Sequence, residues 1–136
     1  MKAQVAVEYL MIISFALMIL LPFFLHLQTA SSNLSDDVNS AIAFYSMKKI
    51  GEMADWVYSQ GEPAKITFLI QIPKNVEEIS FNGKIMIWKV RTSSGISDIS
   101  YTSIANLTGS LPTRPGYYNV LAQANENGVK ISVSTS

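Results

Sequence analysis

The chain has no cysteine, one histidine and few charges, with charged side chains making up only 15% of its 136 residues. Without cysteine there is no disulfide staple, no thiolate-bound zinc or iron–sulfur cluster and no thiol nucleophile. One histidine excludes a multi-His metal centre, so neither metal nor cofactor is expected. Ten basic against ten acidic residues give a formal net charge of +0, which leaves no electrostatic footprint for nucleic acid. The sequence has no Gly-rich phosphate loop. His26 lies in an apolar run, so a Ser-His-Asp constellation is not available. Asp36/Asp37 and Glu77/Glu78 are sequence neighbours on an expected helix start and strand edge, and they read as solvated surface. The chain is therefore not expected to be an enzyme. Its length allows one domain, or a small domain with an appendage.

Apolar residues are abundant, at 49%, and their longest runs crowd the N-terminus. Val5 to Leu27 reads VAVEYLMIISFALMILLPFFLHL. As a helix, these roughly 23 residues would span the roughly 30 Å hydrocarbon core of a membrane. Only Glu8 near one end and His26 near the other are ionisable, and every face is apolar, which suits lipid or a packed helix bundle. His26 reads as an interfacial side chain. A secretory signal peptide is the competitor, but its apolar region runs about 7–15 residues before a small-residue cleavage site. Here the run is longer, and Gln28-Thr29-Ala30-Ser31-Ser32 is an ordinary sequence in which to place a cut. Met1 and Lys2 flank one end, Asp36 and Asp37 the other, so the positive-inside tendency puts the N-terminus in the cytoplasm and residues beyond about 30 outside. Pro22 removes a backbone donor and clashes with the carbonyl of Met18, which predicts a kink or a locally melted turn. The alternative is a proline simply tolerated in a membrane helix.

Ser31 to Ser35 has the character of a weak point or a new helix start. Ser35 is a good N-cap, with Asp36 and Asp37 in the first turn. From Val38 to Tyr58 the apolar residues Ala43, Met47, Ile50, Ala54 and Val57 form one stripe, widened by Ile42 and Met53. Lys48, Lys49, Glu52 and Asp55 occupy the polar side, and Gly61 then Pro63 end the helix. The stripe predicts core packing on the rest of the chain rather than a coiled coil, since it lasts only about three heptads.

After Lys65 the period changes to two. Ile66, Phe68, Ile70 and Ile72 alternate with Lys65, Thr67, Leu69 and Gln71. Asn82-Gly83 between Glu78–Phe81 and Lys84–Arg91 predicts a type I′ hairpin. Ile96–Thr102 reads as a further strand, and Tyr117–Ala124 with Val129–Ser134 as a hairpin joined through Asn125-Glu126-Asn127-Gly128. About six strands in a domain this small make a marginal core that needs the amphipathic helix and neighbouring subunits. The charges of this region are scattered, as on a solvated surface. Trp56, Trp88, Tyr117 and Tyr118 invite comparison with a carbohydrate-binding surface, but buried or hydrogen-bonded structural aromatics are the preferred reading. Two N-glycosylation sequons fall in the part expected outside: Asn33-Leu34-Ser35, close to the membrane exit, and Asn106-Leu107-Thr108 in a turn-rich loop.

The first ten residues, MKAQVAVEYL, resemble the archaeal class III signal peptide of type IV pilin-like proteins. In that family a very short basic leader is cut immediately before a Gln. The mature chain continues as Gln-x-Ser-x-Glu and then a long apolar helix. Here Lys2-Ala3 would end the leader, with Gln4 the first mature residue and Glu8 the fifth; Tyr9 and Leu10 match the common ending. Ala6 stands where the family has Ser, a change that a helix tolerates. The resemblance covers about the first 30 residues. It implies cleavage between Ala3 and Gln4 by a prepilin peptidase on the cytoplasmic side, with the helix retained. That helix would first anchor the subunit in membrane lipid. The pilus assembly machinery would then pack it with copies of itself as the core of a surface filament. Glu8 would pair with the new α-amine of Gln4 on a neighbouring subunit and set the axial register. The bland alternative is an interfacial Glu favoured by the helix dipole.

The resulting expectation is an α+β lollipop: a leader at 1–3, a hydrophobic membrane or filament-core helix at 4–30, an amphipathic connecting helix at 31–61, and an extracellular antiparallel β domain at 62–136. Its expected function is structural, as the subunit of an archaeal type IV pilus-like filament, with adhesion as a use. The alternatives are a single-pass anchored binding ectodomain that never polymerises, and a minor pilin or an extracellular solute-binding assembly that uses the same export machinery.

Overall fold

A computed structural model describes residues 1–135; Ser136, the last residue of the expected 62–136 domain, lies outside the described residues. The chain divides into two compact units, one from Met1 to Ser35 and one from Asp36 onward. The first is helical and has no residue buried. The second combines helix with two β-sheets around a single apolar cluster, which makes the chain α+β.

One helix, α1, covers Lys2–Gln60. It runs without a break through Ser31 to Ser35, where the sequence left continuity open. Ser35 caps nothing, because a cap residue must leave helical geometry, whereas Ser31 to Ser35 are helical. These residues are mediocre helix formers rather than breakers, and extending an existing helix through them costs far less than starting a second one. Pro22 also lies inside α1 without a break in the helix, so the locally melted turn is not seen. The helix stops at Gly61, whose amide donates to the carbonyls of Val57 and Tyr58.

In the second unit α1 buries Ala43, Met47, Ile50, Ala54 and Val57, the stripe read from the periodicity. Ser46 and Gly51 are buried with it. A four-stranded sheet has the order β1-β6-β7-β5, with β1 at Lys65–Ile72, β5 at Leu107–Gly109, β6 at Gly116–Asn125 and β7 at Gly128–Val133. A three-stranded sheet has the order β2-β3-β4, with β2 at Val76–Asn82, β3 at Ile85–Thr92 and β4 at Gly95–Thr102. Phe68, Ile70 and Ile72 of β1 and Met86, Trp88 and Val90 of β3 alternate inward, at period two, into the same core as the α1 stripe.

Two details depart from the sequence reading. The β2–β3 hairpin pairs Asn82 with Ile85, so its loop is Gly83-Lys84. Gly83 has φ 61°, and among the described residues none other than glycine has positive φ, which fits a type II′ turn rather than type I′. The domain is also not purely antiparallel, because β5 runs parallel to β7, with Leu107 opposite Val129. Its Leu-Thr-Gly-Ser sequence looks like turn chemistry. What makes it a strand is long-range: Leu107 is buried, its amide donates to the carbonyl of Gly83 at 2.7 Å, and Gly109 lies against β7. At Gly109, φ is 126° and a Cβ would fall 1.8 Å from the carbonyl oxygen of Ile131.

Gly109→Ala is therefore expected to combine left-handed backbone strain, about 1–2 kcal/mol, with overpacking against backbone, about 1–3 kcal/mol. Gly83→Ala meets open space and should cost only the strain. Thermal unfolding of the full chain in detergent should rank Gly109→Ala well below Gly83→Ala. Equal melting temperatures would show that the β5–β7 approach is not tight.

Candidate functional site

The residues singled out in the sequence fall in the first unit, on the surface of α1. Ala3, Gln4 and Glu8 are exposed. Gln4 and Glu8, four residues apart in the helix, share a face. Glu8 takes part in none of the ion pairs among the described residues.

The helix that follows is long and apolar enough to cross a membrane, and its most apolar window has no part buried. Large apolar side chains point outward all round, from Ile13 and Leu17 at 51% exposed to Met18 at 73%. The polar groups in this stretch are satisfied inside the helix. The Ser14 hydroxyl donates to the carbonyl of Leu10 at 2.7 Å, and Thr29 to that of Leu25 at 3.2 Å. Such back-bonding lets a hydroxyl sit in an apolar medium without an unmet donor.

The second unit contains a polar cluster that no local pattern announced. Asp55, read as part of a solvated helix face, is a clamp. Its Oδ2 accepts the hydroxyl of Tyr101 at 2.9 Å, and its Oδ1 accepts both the Ser103 hydroxyl and the amide of Ile104, the latter at 3.1 Å. Ser103, almost fully buried, in turn accepts the amide of Ala105 at 3.1 Å. The Tyr101 ring lies over Gly51, where a Cβ would come within 2.2 Å of it. Asp36 makes a second tie, its Oδ2 accepting the amide of Ser93 at 2.8 Å in the β3–β4 turn. The partners lie 46 to 57 residues apart in the sequence, and only the small residue Gly51, one turn before Asp55, hinted at a close approach.

As chemistry, the Asp55 cluster is a lock. Each oxygen of the carboxylate is occupied as an acceptor, and the Ser103 hydroxyl is spent between Asp55 and Ala105. Among the described residues no group of three or more His, Cys, Asp or Glu could hold a metal ion. Glu77 and Glu78 lie at a β-bulge and pair with Arg91 and Lys89 across the hairpin. The Glu78 carboxylate raises the pKa of Lys89, but both partners are solvated, and such pairs contribute little.

The four aromatics do not line one surface, because Trp88 is fully buried. Tyr118 is half-buried and donates to the carbonyl of Arg114 at 3.1 Å, whereas Trp56 and Tyr117 are exposed. The sequons differ in setting: Asn33 is inside α1, whereas Asn106 is exposed in the segment leading into β5.

Burial, followed by its bond to Asp55, pushes the Tyr101 phenol up from its ordinary value to about 12. Folding therefore favours the protonated phenol. That stabilisation is complete below about pH 10 and is lost as the pH climbs through about 12. Tyrosinate absorbance during an alkaline titration should show one phenol ionising late, together with loss of folded signal, and Tyr101→Phe should remove that step. An unchanged titration in Tyr101→Phe would mean that the Asp55 bond does not hold the phenol.

Compared with known proteins, the chain matches no protein-family model, no curated protein and no solved structure.

Proposed function

We propose that this chain is the structural subunit of a type IV pilus-like surface filament. It is cut between Ala3 and Gln4 and assembled through its N-terminal helix. The observation that carries this reading is the first unit itself: an apolar helix exposed on every side, with its lone carboxylate, Glu8, one turn after Gln4. Before assembly the helix sits in membrane lipid, with the N-terminus cytoplasmic and the second unit outside. A prepilin peptidase removes residues 1–3, and the assembly machinery transfers the helix to a bundle of copies. A carboxylate in hydrocarbon is costly unless paired, so the α-amine of a neighbouring Gln4 gives Glu8 a partner and fixes the axial step. The β domain forms the outer face, where a filament used for adhesion would meet its target.

The other reading is a single-pass anchored ectodomain, since one helix of this kind also suffices as an anchor. Mass spectrometry of the protein from cell-surface material, beside a sheared-filament fraction, separates the two. The filament reading expects a mature chain starting at Gln4 and enriched in the filaments. An intact N-terminus confined to membranes would leave only the anchor. Copy number in the filament fraction then distinguishes a major from a minor subunit.

Two further outcomes are expected. Glu8→Ala and Glu8→Leu should insert and be cleaved as the parent is, yet be depleted from filaments at least tenfold. Normal filaments from either variant would remove the assembly role of Glu8. Peptide mapping of the same material should find any glycan on Asn106 and none on Asn33, because the Asn33 sequon is locked in a helix whereas Asn106 is an exposed residue immediately before β5. A glycan on Asn33 would contradict this.

A further inference from the structure

We infer that the free edge of β4 is a self-recognition surface, on which β4 of a second copy of this chain docks antiparallel and joins the two three-stranded sheets into one. The contact concerns the second unit alone and does not depend on the filament reading.

A sheet edge left open is a template for another strand, and proteins cover it, bend it or keep it short. Three edges of this domain are so treated. The outer edge of β1 is held by α1, with the Lys49 ammonium donating to the carbonyl of Leu69 at 2.8 Å and the Ser46 hydroxyl to that of Gln71 at 2.6 Å. β2 is interrupted by the bulge between Val76 and Glu78, and β5 has only three residues. β4 has none of these devices. Its eight residues pair with β3 in unbroken register from Gly95 to Thr102, and they include no proline.

The groups that β4 leaves open follow from this pairing. Ser103 donates its amide to the carbonyl of Lys84 at 2.8 Å, one step beyond the Ile85–Thr102 pair. Antiparallel neighbours alternate between bonded and non-bonded pairs. Gly95, Ser97, Ile99 and Tyr101 therefore bond to β3, whereas Ile96, Asp98, Ser100 and Thr102 turn both N–H and C=O away from it. All four are exposed.

Register and charge single out a second copy. With Asp98 opposite Ser100 of the second copy, Ile96 comes opposite its Thr102, and every outward residue of each strand faces an outward residue of the other. No other antiparallel register does this for all four. The same register keeps Asp98, the only charge on β4, apart from its counterpart. Sliding by two residues would set Asp98 against Asp98, and like charges directly opposite are destabilising. In the full register its carboxylate instead meets the Ser100 hydroxyl, a donor, while Lys89 lies beside it in β3. A strand of another protein would need a matching sequence, which a second copy carries by construction. The contact is symmetric and closes on a pair, so it does not extend into a polymer. Eight residues a side fall short of the roughly 20–30 of a stable interface, so pairing needs copies already concentrated, as on a membrane.

The absence of cysteine allows a test in the full chain, in its own membrane. In the pair, residues 96 and 102 of opposite copies come within disulfide reach, about 5.5 Å between Cα atoms, whereas like residues lie roughly 20 Å apart. The double variant Ile96→Cys/Thr102→Cys, oxidised with copper phenanthroline, should give a dimer and nothing larger on a non-reducing gel. Each single variant should stay monomeric. Adding Ser100→Asp sets carboxylates opposite each other at two places and should lower the dimer yield about fivefold. Ser100→Pro, which removes an N–H that β3 does not use, should lower it too. Ser100 is exposed, so both additions should melt close to the parent, and Ser100→Asp decides if the proline does not. Dimers from Ile96→Cys alone would overturn the inference, since the strands would then run parallel. So would a ladder of larger species, no dimer from the double variant, or an undiminished dimer with Ser100→Asp. Cross-links from the double variant to another protein, without the dimer, would give the edge to a different partner and overturn it as well.

Discussion

The constraint on which everything else depends is that residues 5–27 have nothing of their own chain to cover them. More than a dozen large apolar side chains there are each at least half exposed. Burying one fully is worth about 1.5–3 kcal/mol. Even at half that value the total left in water is roughly 10–20 kcal/mol, as large as the whole stability of a typical domain, about 5–15 kcal/mol. The helix must be covered by something outside the chain, and its even apolarity suits lipid and a bundle of like helices equally.

The remainder of α1 faces the opposite problem and solves it internally. Its stripe from Ala43 to Val57 lies in the core with both sheets, so the helix in this unit is also a core element. Around that apolar contact, side chains of α1 reach main-chain and side-chain groups of both sheets: Ser46 and Lys49 to β1, Asp36 to the β3–β4 turn, Asp55 to Tyr101, Ser103 and Ile104. The neutral Ser46 bond contributes about 0.5–1.5 kcal/mol and the part-buried bonds of Asp55 about 1.5–3 kcal/mol each, whereas exposed contacts such as those of Lys49 and the Lys48–Glu52 pair contribute little. These ties are distributed along α1 within the second unit rather than gathered at one point.

Periodicity made much of this legible. The core stripe of α1, the inward residues of β1, the existence of the β2–β3 hairpin (though not its turn) and the stop at Gly61 are all short-range patterns, visible in windows of a few residues. What could not be read was set by distance in sequence. Ser31 to Ser35 looked like a boundary because caps are judged locally, but the cost of starting a second helix decided for continuity. Leu107 to Gly109 looked like a loop because its residues favour turns, yet its approach to Ile131 made it a strand. Asp55 looked solvated because its partners Tyr101, Ser103 and Ile104 lie far along the chain. The Gln4–Glu8 spacing was legible in full, since a helix brings such residues to one face without help from the rest of the fold.

Moving an apolar helix from lipid to a bundle of similar helices gains almost no hydrophobic free energy, because lipid tails are as apolar as the side chains they replace. In the filament reading, the direction of assembly must then come from terms that differ between the two environments. A carboxylate that meets an amine only beside another subunit is one such term, small in area but large where charge is otherwise unmatched.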